Sequence, residues 1–356
     1  MKNILIIGSR GYIGSRLTDY LSEHGYRCTG TDIGFFEQGL LYKPKSLTNL
    51  NIDARDIQEK DLEDFDVIVL LAGISNDPLG NMEIERIYDP TRIYALKIAK
   101  LCKKLGKRFI FPSSCSIYGI GQGMIDESGS TNPQTPYSLN KLQIEDDLKE
   151  IADKEFSPIA LRLATVFGPS PRIRFDLVIN MFCGMAVAQK EIILNSDGQA
   201  WRPHLHIEDS CQAIKCCIEW DYDEGKLLIL NVGMNENNKK ILDVARIVSK
   251  SVDGCNLSFL DRENDVTDDN DLVADRKIQD GVDSRTYKVS FDYIHKNLPN
   301  FEAQWDLENG IKDLIDRLQY LELDEVKFKQ RDFYRLQQVE YLHRTGQIDG
   351  DLRIKW

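Results

Sequence analysis

Over the first 165 residues, short apolar runs alternate with longer amphipathic stretches. Residues 3–7, 27–31, 47–52, 67–71, 108–111 and 158–163 read as strands. Residues 13–24, 84–105 and 137–154 carry apolar positions at helical spacing and read as helices. Runs such as VIVLLA and RFIF are apolar without alternation, as strands buried on both faces of a parallel sheet are. Repeated strand–helix–strand units predict an α/β domain with a doubly wound parallel sheet, binding ligands at the carboxyl ends of its strands.

Beyond residue 165 the rhythm breaks. Segments rich in Gly, Pro and Asn (GPSPRIRFD, NSDGQAWRPH, NVGMNENN) alternate with helical patterns at 209–219 and 238–251. The acidic stretch 261–271 reads as a solvated loop with no function assigned. From Asp324 a helical, mixed-charge tail includes FYRLQQVEYLHRTG, whose apolar stripe predicts packing on the body of the same chain rather than on a second subunit. There are no internal repeats or low-complexity tracts. The predicted organisation is a dinucleotide-binding domain over 1–165, a mainly substrate-binding α/β region over 166–323 with some return to the first domain, and the tail over 324–356.

Composition narrows the function classes. A net charge of −12 and a pI near 5.0 over 356 residues argue against nucleic-acid or membrane-surface partners, which require a basic face. The eight cysteines show no CxxC spacing, and the five histidines form no HxxxH or HExxH pattern, so no metal site is expected. Reduced thiols in a cytoplasmic protein are the expectation. No stretch approaches the roughly 20 apolar residues that span a bilayer. The N-terminal apolar run is too short for a signal peptide and ends in a glycine turn.

That turn is GSRGYIG, residues 8–14, between the first strand and the first helix. Gly8 would make the tight turn, Gly11 would let backbone approach a diphosphate, and Gly14 would let the helix pack close to the sheet. The helix N-terminus then offers free N–H groups to phosphate. Asp32, about 20 residues on, is placed to bond both ribose hydroxyls of an adenosine. Dinucleotide binding follows. Asp32 would repel a 2′-phosphate, which favours NAD over NADP. Arg10 is placed where a cation could meet such a phosphate, and would otherwise pair with Asp32 or solvent.

Two further segments carry chemistry. PYSLNK puts Tyr137 and Lys141 four apart, on one helix face, and FPSSCSIYG puts Ser113, Ser114 and Ser116 just past a strand end. A phenol of pKa about 10 is too weak a base at neutral pH. An ammonium one turn away and a cationic nicotinamide both favour the phenolate. The tyrosine can then take an alcohol proton as hydride leaves the carbon, with a serine hydroxyl holding the same oxygen.

From residue 2 to about 320 the chain resembles an extended short-chain dehydrogenase/reductase of the NAD-dependent nucleotide-sugar epimerase/dehydratase group, with a Rossmann-like sheet. The resemblance implies that Tyr137 is the acid/base, that Lys141 positions the nicotinamide ribose and tunes the tyrosine, and that Ser114 orients the substrate. The implied cofactor set is Gly8, Arg10, Gly11, Tyr12, Ile13 and Gly14, then Asp32 and Ile33, Asp53 and Ala54 near adenine, and Leu71, Ala72 and Gly73, with Tyr137 and Lys141. Leu70, Asn140 and Ile87 stand where the group commonly has histidine, serine and asparagine. On the substrate side the resemblance implies Ser114 and Ser116, with Asn180, Arg202 and Arg285 for a nucleotide diphosphate. Arginine suits that task because its planar fork meets phosphate at two points. Arg172 and Arg174 lie in the loop before Phe175 and are further candidates.

Members that eliminate water to form 4-keto-6-deoxy sugars carry an acidic pair after the hydroxyl residue, where this chain has Cys115 and Ser116. Decarboxylating members place a glutamate at the position of Ser116. Those that combine 3,5-epimerisation with reduction use a cysteine two residues before a tyrosine, whereas Cys115 lies three before Tyr118. Cys115 is therefore read as a buried thiol. What remains is hydrogen transfer at a sugar alcohol or ketone, most often C4. A 4-epimerase ranks narrowly ahead of a 4-dehydrogenase or 4-ketoreductase. A non-catalytic dinucleotide-binding sensor or scaffold is the alternative of another class, and the retention of Ser114, Tyr137 and Lys141 weighs against it. The expected partners are a nucleotide-diphosphate sugar and a second copy of the chain. The resemblance implies a homodimer through the helices at 84–105 and 137–154, where Ile93, Leu96, Ile98 and Leu101 form an apolar stripe.

Overall fold

The computed structural model describes residues 2–45, 48–75, 84–260 and 285–355. The acidic stretch 261–271 and the side chain of Ile87 lie outside the described residues. In chain order the first half runs β1 (Asn3–Ile7), α1 (Tyr12–Glu23), β2 (Arg27–Thr31), β3 (Thr48–Asn49), β4 (Val67–Leu70), α2 (Ile84–Leu105), β5 (Arg108–Ser114), β6 (Ile120–Ile125), α3 (Pro136–Ile151) and β7 (Ile159–Leu163). The second half runs β8 (Thr165–Phe167), α4 (Val178–Gln189), β9 (Glu191–Leu194), β10 (Trp201–His206), α5 (Ile207–Glu219), β11 (Leu228–Val232), β12 (Asn238–Lys240), α6 (Ile241–Lys250), β13 (Asn256–Phe259), β14 (Thr286–Val289), α7 (Asp292–Asn297) and α8 (Leu307–Tyr320). The tail adds α9 (Glu325–Phe328) and α10 (Arg335–Arg344).

Seven strands form one sheet in the order β11-β7-β5-β4-β1-β2-β3, all paired in parallel. Alternate side chains explain why the strands are apolar throughout. Ile4 and Ile6 enter the core beneath α1 and α5, whereas Leu5 and Ile7 enter the core beneath α2 and α3. The chain runs outward from β1 through β2 to β3, then crosses back to β4 on the other side of β1. That reversal opens a crevice at the carboxyl ends. Ile7 stands opposite both Thr31 and Leu70, so Gly8, Asp32 and Leu71 emerge side by side at its rim.

Beyond the main sheet the chain forms three small sheets, β12-β10-β8, β13-β9 and β14-β6, the last pairing the second half with β6 of the first. β11 carries the chain back to the edge of the main sheet, beside β7.

Several local outcomes differ from the sequence reading. The strand expected over 47–52 is only Thr48–Asn49 among the described residues. β5 continues through Pro112 to Ser114 because it pairs with β7 over its whole second half, Ser114 facing Leu163. Ser113 and Ser114 are thus the last residues of a strand. The helix expected over 238–251 begins only at Ile241. Asn238 exchanges two hydrogen bonds with the Val289 backbone (2.8 and 2.9 Å), which holds Asn238–Lys240 extended as β12. α3 stops at Ile151, where Ala152 turns extended. The tail packs on the body of its own chain. Phe328 and Phe333 place their rings edge-on to Phe175, with centroids 5.0 and 5.4 Å away.

Candidate active site

The glycine loop is shaped by what a side chain would strike. Gly8 has φ +94°, and a Cβ there would lie 2.5 Å from the Ala72 nitrogen. A Cβ on Gly14 would lie 2.1 Å from the Gly8 carbonyl oxygen, so only glycine lets α1 sit this close to the turn. Gly11 is the N-cap of α1, with no side-chain cap and no acidic residue in the first turn, so its leading N–H groups remain available to an anion.

Two connected spaces follow the crevice. A cleft of about 420 Å³ is lined by Gly8, Gly11, Tyr12, Ile13, Gly14, Leu71 and Gly73 and by the catalytic candidates. A cavity of about 140 Å³ is lined by Asp32, Ile33, Asp53, Ala54, Leu71, Ala72 and Gly73. In the latter, Asp32 accepts the N–H of Arg10 (3.0 Å) on one oxygen and that of Gly34 (2.8 Å) on the other. Burial raises its pKa, and each oxygen keeps a lone pair for a sugar hydroxyl. The Arg10 side chain turns away. Its guanidinium pairs with Glu37 at 3.1 Å and lines neither space, so Arg10 contributes its backbone N–H instead of a phosphate contact. Asp53 is likewise engaged. Burial would raise its pKa, but hydrogen bonds from Arg55 outweigh that and hold it below its ordinary value.

α3 begins with a reciprocal cap. The Thr135 hydroxyl accepts the Ser138 N–H (3.2 Å) and the Ser138 hydroxyl accepts the Thr135 N–H (3.1 Å), with Pro136 at the first helical position. Tyr137 and Lys141 therefore occupy the first two turns, facing the end of β5. Lys141 donates to the Pro112 carbonyl (2.8 Å), its ammonium 4.4 Å from the Phe111 ring centre and 5.8 Å from that of Tyr137. Burial pushes its pKa down to about 8. The Ser114 hydroxyl lies 2.9 Å from that of Ser116 and accepts the Ser116 N–H. Ser114, Ser116, Tyr137, Lys141, Arg202 and Arg285 all line the one cleft.

Behind these residues lies a buried polar chain. Ser113 donates to Glu145 (2.5 Å), Glu145 pairs with Arg162 (2.7 Å), and Arg162 donates to the Tyr118 hydroxyl (2.9 Å). Cys115 is buried, its thiol 3.1 Å from the Arg162 carbonyl, and burial pushes its pKa well above the ordinary value.

Among the residues expected to bind substrate, Arg202 donates to the Trp201 carbonyl (2.8 Å) and to that of Arg285, and lies over the Tyr287 ring. Asn180 is the exception among the expected substrate residues. It is fully buried, accepting from the Gly168 N–H (3.0 Å) and donating to the Tyr12 hydroxyl (3.2 Å), so it braces the wall and lines neither space. Arg172 is also used internally, donating to the Phe36 and Glu37 carbonyls, whereas Arg174 lines the cleft beside Asp176.

The tail supplies lining that the sequence reading assigned to plain packing. Arg335 and Val339 of α10 line the larger cleft, and Asp351 and Leu352 line the smaller cavity beside Asp32. Val339, Ile348 and Leu352 form one apolar cluster with Phe35, against which Ile33, Ile74 and Tyr137 pack. The apolar stripe of the tail was the signal. Which surface it covers depends on contacts some 300 residues away.

The model of the NAD dependent epimerase/dehydratase family matches residues 4–233. The chain is 29% identical over 261 residues, 69% of its own length and 80% of the relative's, to the uncharacterized UDP-glucose epimerase YtcB of Bacillus subtilis (strain 168). Among solved structures it resembles a UDP-N-acetylglucosamine 4-epimerase from Methanobrevibacter ruminantium M1 in complex with UDP-N-acetylmuramic acid. The TM-score is 0.72 at 22% identity, covering 90% of this chain and 98% of the other. It also resembles TunA, an NAD dependent NDP-hexosamine 5,6-dehydratase involved in tunicamycin biosynthesis, with a TM-score of 0.70 at 18% identity, covering 91% and 100%. These two likenesses show the shared fold.

Proposed function

The chain belongs to the NAD dependent epimerase/dehydratase family, and from that premise we propose that it is a nucleotide-sugar 4-epimerase. The observation that carries this reading is the single cleft that joins the glycine loop, the Ser114–Tyr137–Lys141 set and Arg202 with Arg285, with the tail lining the dinucleotide-binding end through Asp351 and Leu352. A cofactor held by tail contacts as well as by the glycine loop suits a redox-neutral reaction, which has no need to exchange it between turnovers. The names of the Bacillus relative and the Methanobrevibacter neighbour support the same reading.

The residues fit NAD. Gly8 and Gly14 leave no room for a Cβ, which lets the turn and α1 close up tightly and brings the α1 N-terminus to the cleft that Gly8, Gly11 and Gly14 line. Asp32 suits a ribose diol, while Arg10, paired with Glu37, is not offered to a 2′-phosphate. When bound, NAD supplies the acceptor and then the donor of hydrogen at the reacting carbon. Tyr137 takes the proton from the C4 hydroxyl and returns it. The Lys141 ammonium favours the phenolate, and Ser114 holds the same oxygen. Arg202 and Arg285 anchor the diphosphate, leaving the sugar as the part that turns to present its other face.

Dehydration is disfavoured by what flanks Ser114. The Cys115 thiol is buried against a carbonyl and Ser116 offers only a hydroxyl, so neither supplies the acid that expels water. We place the protein in the cytoplasm, in keeping with eight cysteines of which none is paired in a disulfide and six are buried. A homodimer through α2 and α3 is part of the proposal, since Ile93 (67% exposed) and Leu139 (46%) present apolar surface there, while Ile98 is buried against the sheet.

The test is incubation of the purified protein and NAD with UDP-, GDP-, dTDP- and CDP-sugars, with products identified by NMR. A C4 isomer supports the proposal. An accumulating 4-keto sugar identifies a dehydrogenase, consumption of NADH with a 4-keto sugar a reductase, and an unsaturated or 6-deoxy product a dehydratase.

A further inference from the structure

Arg335 is the first residue of α10 and is only 5% exposed. Its Nη2 donates to the Arg172 carbonyl (3.1 Å), and its guanidinium lies on the Phe36 ring, 4.0 Å from the centroid. Its backbone N–H is held by Asp176 (3.2 Å). The Nη1 atom is buried with no hydrogen-bond partner. An orphaned charged donor of this kind is costly and calls for an acceptor.

The surroundings indicate an anion. Arg174 is answered by Asp176 at 2.9 Å and Arg10 by Glu37 at 3.1 Å. That leaves Arg172 and Arg335 with Asp32 as the remaining carboxylate, so this corner carries one cation in excess. Burial, then the neighbouring Arg174 and Arg172, pushes the Arg335 pKa down to about 9 despite Asp176 and Asp32 nearby. A bound anion would relieve both the desolvation and the crowding.

Position then selects which anion. Gln338 donates to the Phe35 carbonyl (3.0 Å), fixing α10 on the loop after β2, and Val339 packs in the cluster that includes Ile74 after β4 and Tyr137. Arg335 therefore stands between the Asp32 loop and the catalytic tyrosine, in the cleft that Gly8, Gly11 and Ile13 floor. The part of a dinucleotide that spans this interval is its diphosphate. We infer that Arg335, carried by the C-terminal tail, is a cofactor-binding residue whose guanidinium turns to meet the dinucleotide diphosphate across from the α1 N-terminus. The inference rests on the cofactor reading above and is independent of which sugar reaction follows.

The experiment uses the full chain and three probes, NAD, ADP-ribose and adenosine, with affinities measured by calorimetry and no sugar present. Loss of one charge-assisted contact predicts that Arg335→Ala weakens NAD and ADP-ribose by about 10- to 100-fold. Adenosine, which lacks the diphosphate, stays within about twofold. Arg335→Lys keeps the charge in a chain that folds like the parent, and should recover part of the loss for NAD and ADP-ribose alone. Equal weakening of all three probes in both variants would overturn the inference and make α10 a packing element. Unchanged NAD and ADP-ribose affinity with a raised sugar KM would overturn it too, assigning Arg335 to the substrate. Failure of the epimerase proposal would leave these affinities untouched.

Discussion

Lys141 is held in the fold at a cost, and that cost can be measured. Its ammonium is drawn onto the Pro112 carbonyl beneath the cleft, and burial lowers its pKa from 10.5 to about 8. At about 1.4 kcal/mol per tenfold displacement, keeping it charged at pH 7 costs the folded state about 3 kcal/mol. Because the unfolded chain holds this proton more tightly, stability rises with pH between about 8 and 10.5; the penalty is fully present below that window and absent above it. Lys141→Met removes the charge while keeping an unbranched apolar chain. In urea denaturation without cofactor it should gain about 2–3 kcal/mol at pH 7, allowing for the lost bond to Pro112, and under about 1 kcal/mol at pH 10. The same variant should lose at least about 100-fold in kcat, since the phenolate of Tyr137 is no longer favoured. A variant that is less stable at pH 7, or whose gain is the same at pH 10, would refute the account of a buried charge.

Other consequences follow from the same geometry. Tyr137→Phe should lower kcat by about 100- to 10,000-fold while weakening NAD by no more than about tenfold in calorimetry, the loss of one hydroxyl contact. Asp32→Asn should shift the NAD-to-NADP affinity ratio toward NADP by at least about tenfold, because one charge near the 2′ position is removed. Arg162→Met leaves Glu145 buried and uncompensated and should cost about 3–5 kcal/mol in urea denaturation, most of it recovered when Glu145→Gln is added; equal stability of the single and double variants would contradict this. Ile93→Asp should shift the mass in light scattering from dimer to monomer with the monomer fold intact.

The parts of this site that rest on local spacing were legible in the sequence. The turn from Gly8 to Gly14, Asp32 at the end of β2, and the four-residue step from Tyr137 to Lys141 each require only a strand end or a helix turn. Residues whose role depends on distant partners were not. Asn180 falls where the resemblance suggested a substrate contact, yet its amide is consumed by Gly168 and Tyr12. Arg10 looked open to a phosphate because Glu37 as its partner depends on how the loop after β2 folds back. Asn238 reads as a helix start until its pairing with Val289 is seen. The tail showed an apolar stripe in sequence, but its placement over Phe35 and Tyr137 is a long-range fact that periodicity does not encode.

The central claim is reversible hydrogen transfer at C4 under a retained cofactor. Its most direct test is one turnover experiment with a UDP-sugar deuterated at C4, the holoenzyme and excess unlabelled NADH in solution. The account predicts a C4 isomer that keeps the deuterium at C4, because Tyr137 moves only the hydroxyl proton and the bound cofactor does not exchange between the two hydrogen transfers. An isomer stripped of label at C4, or a product that has lost water, would contradict it.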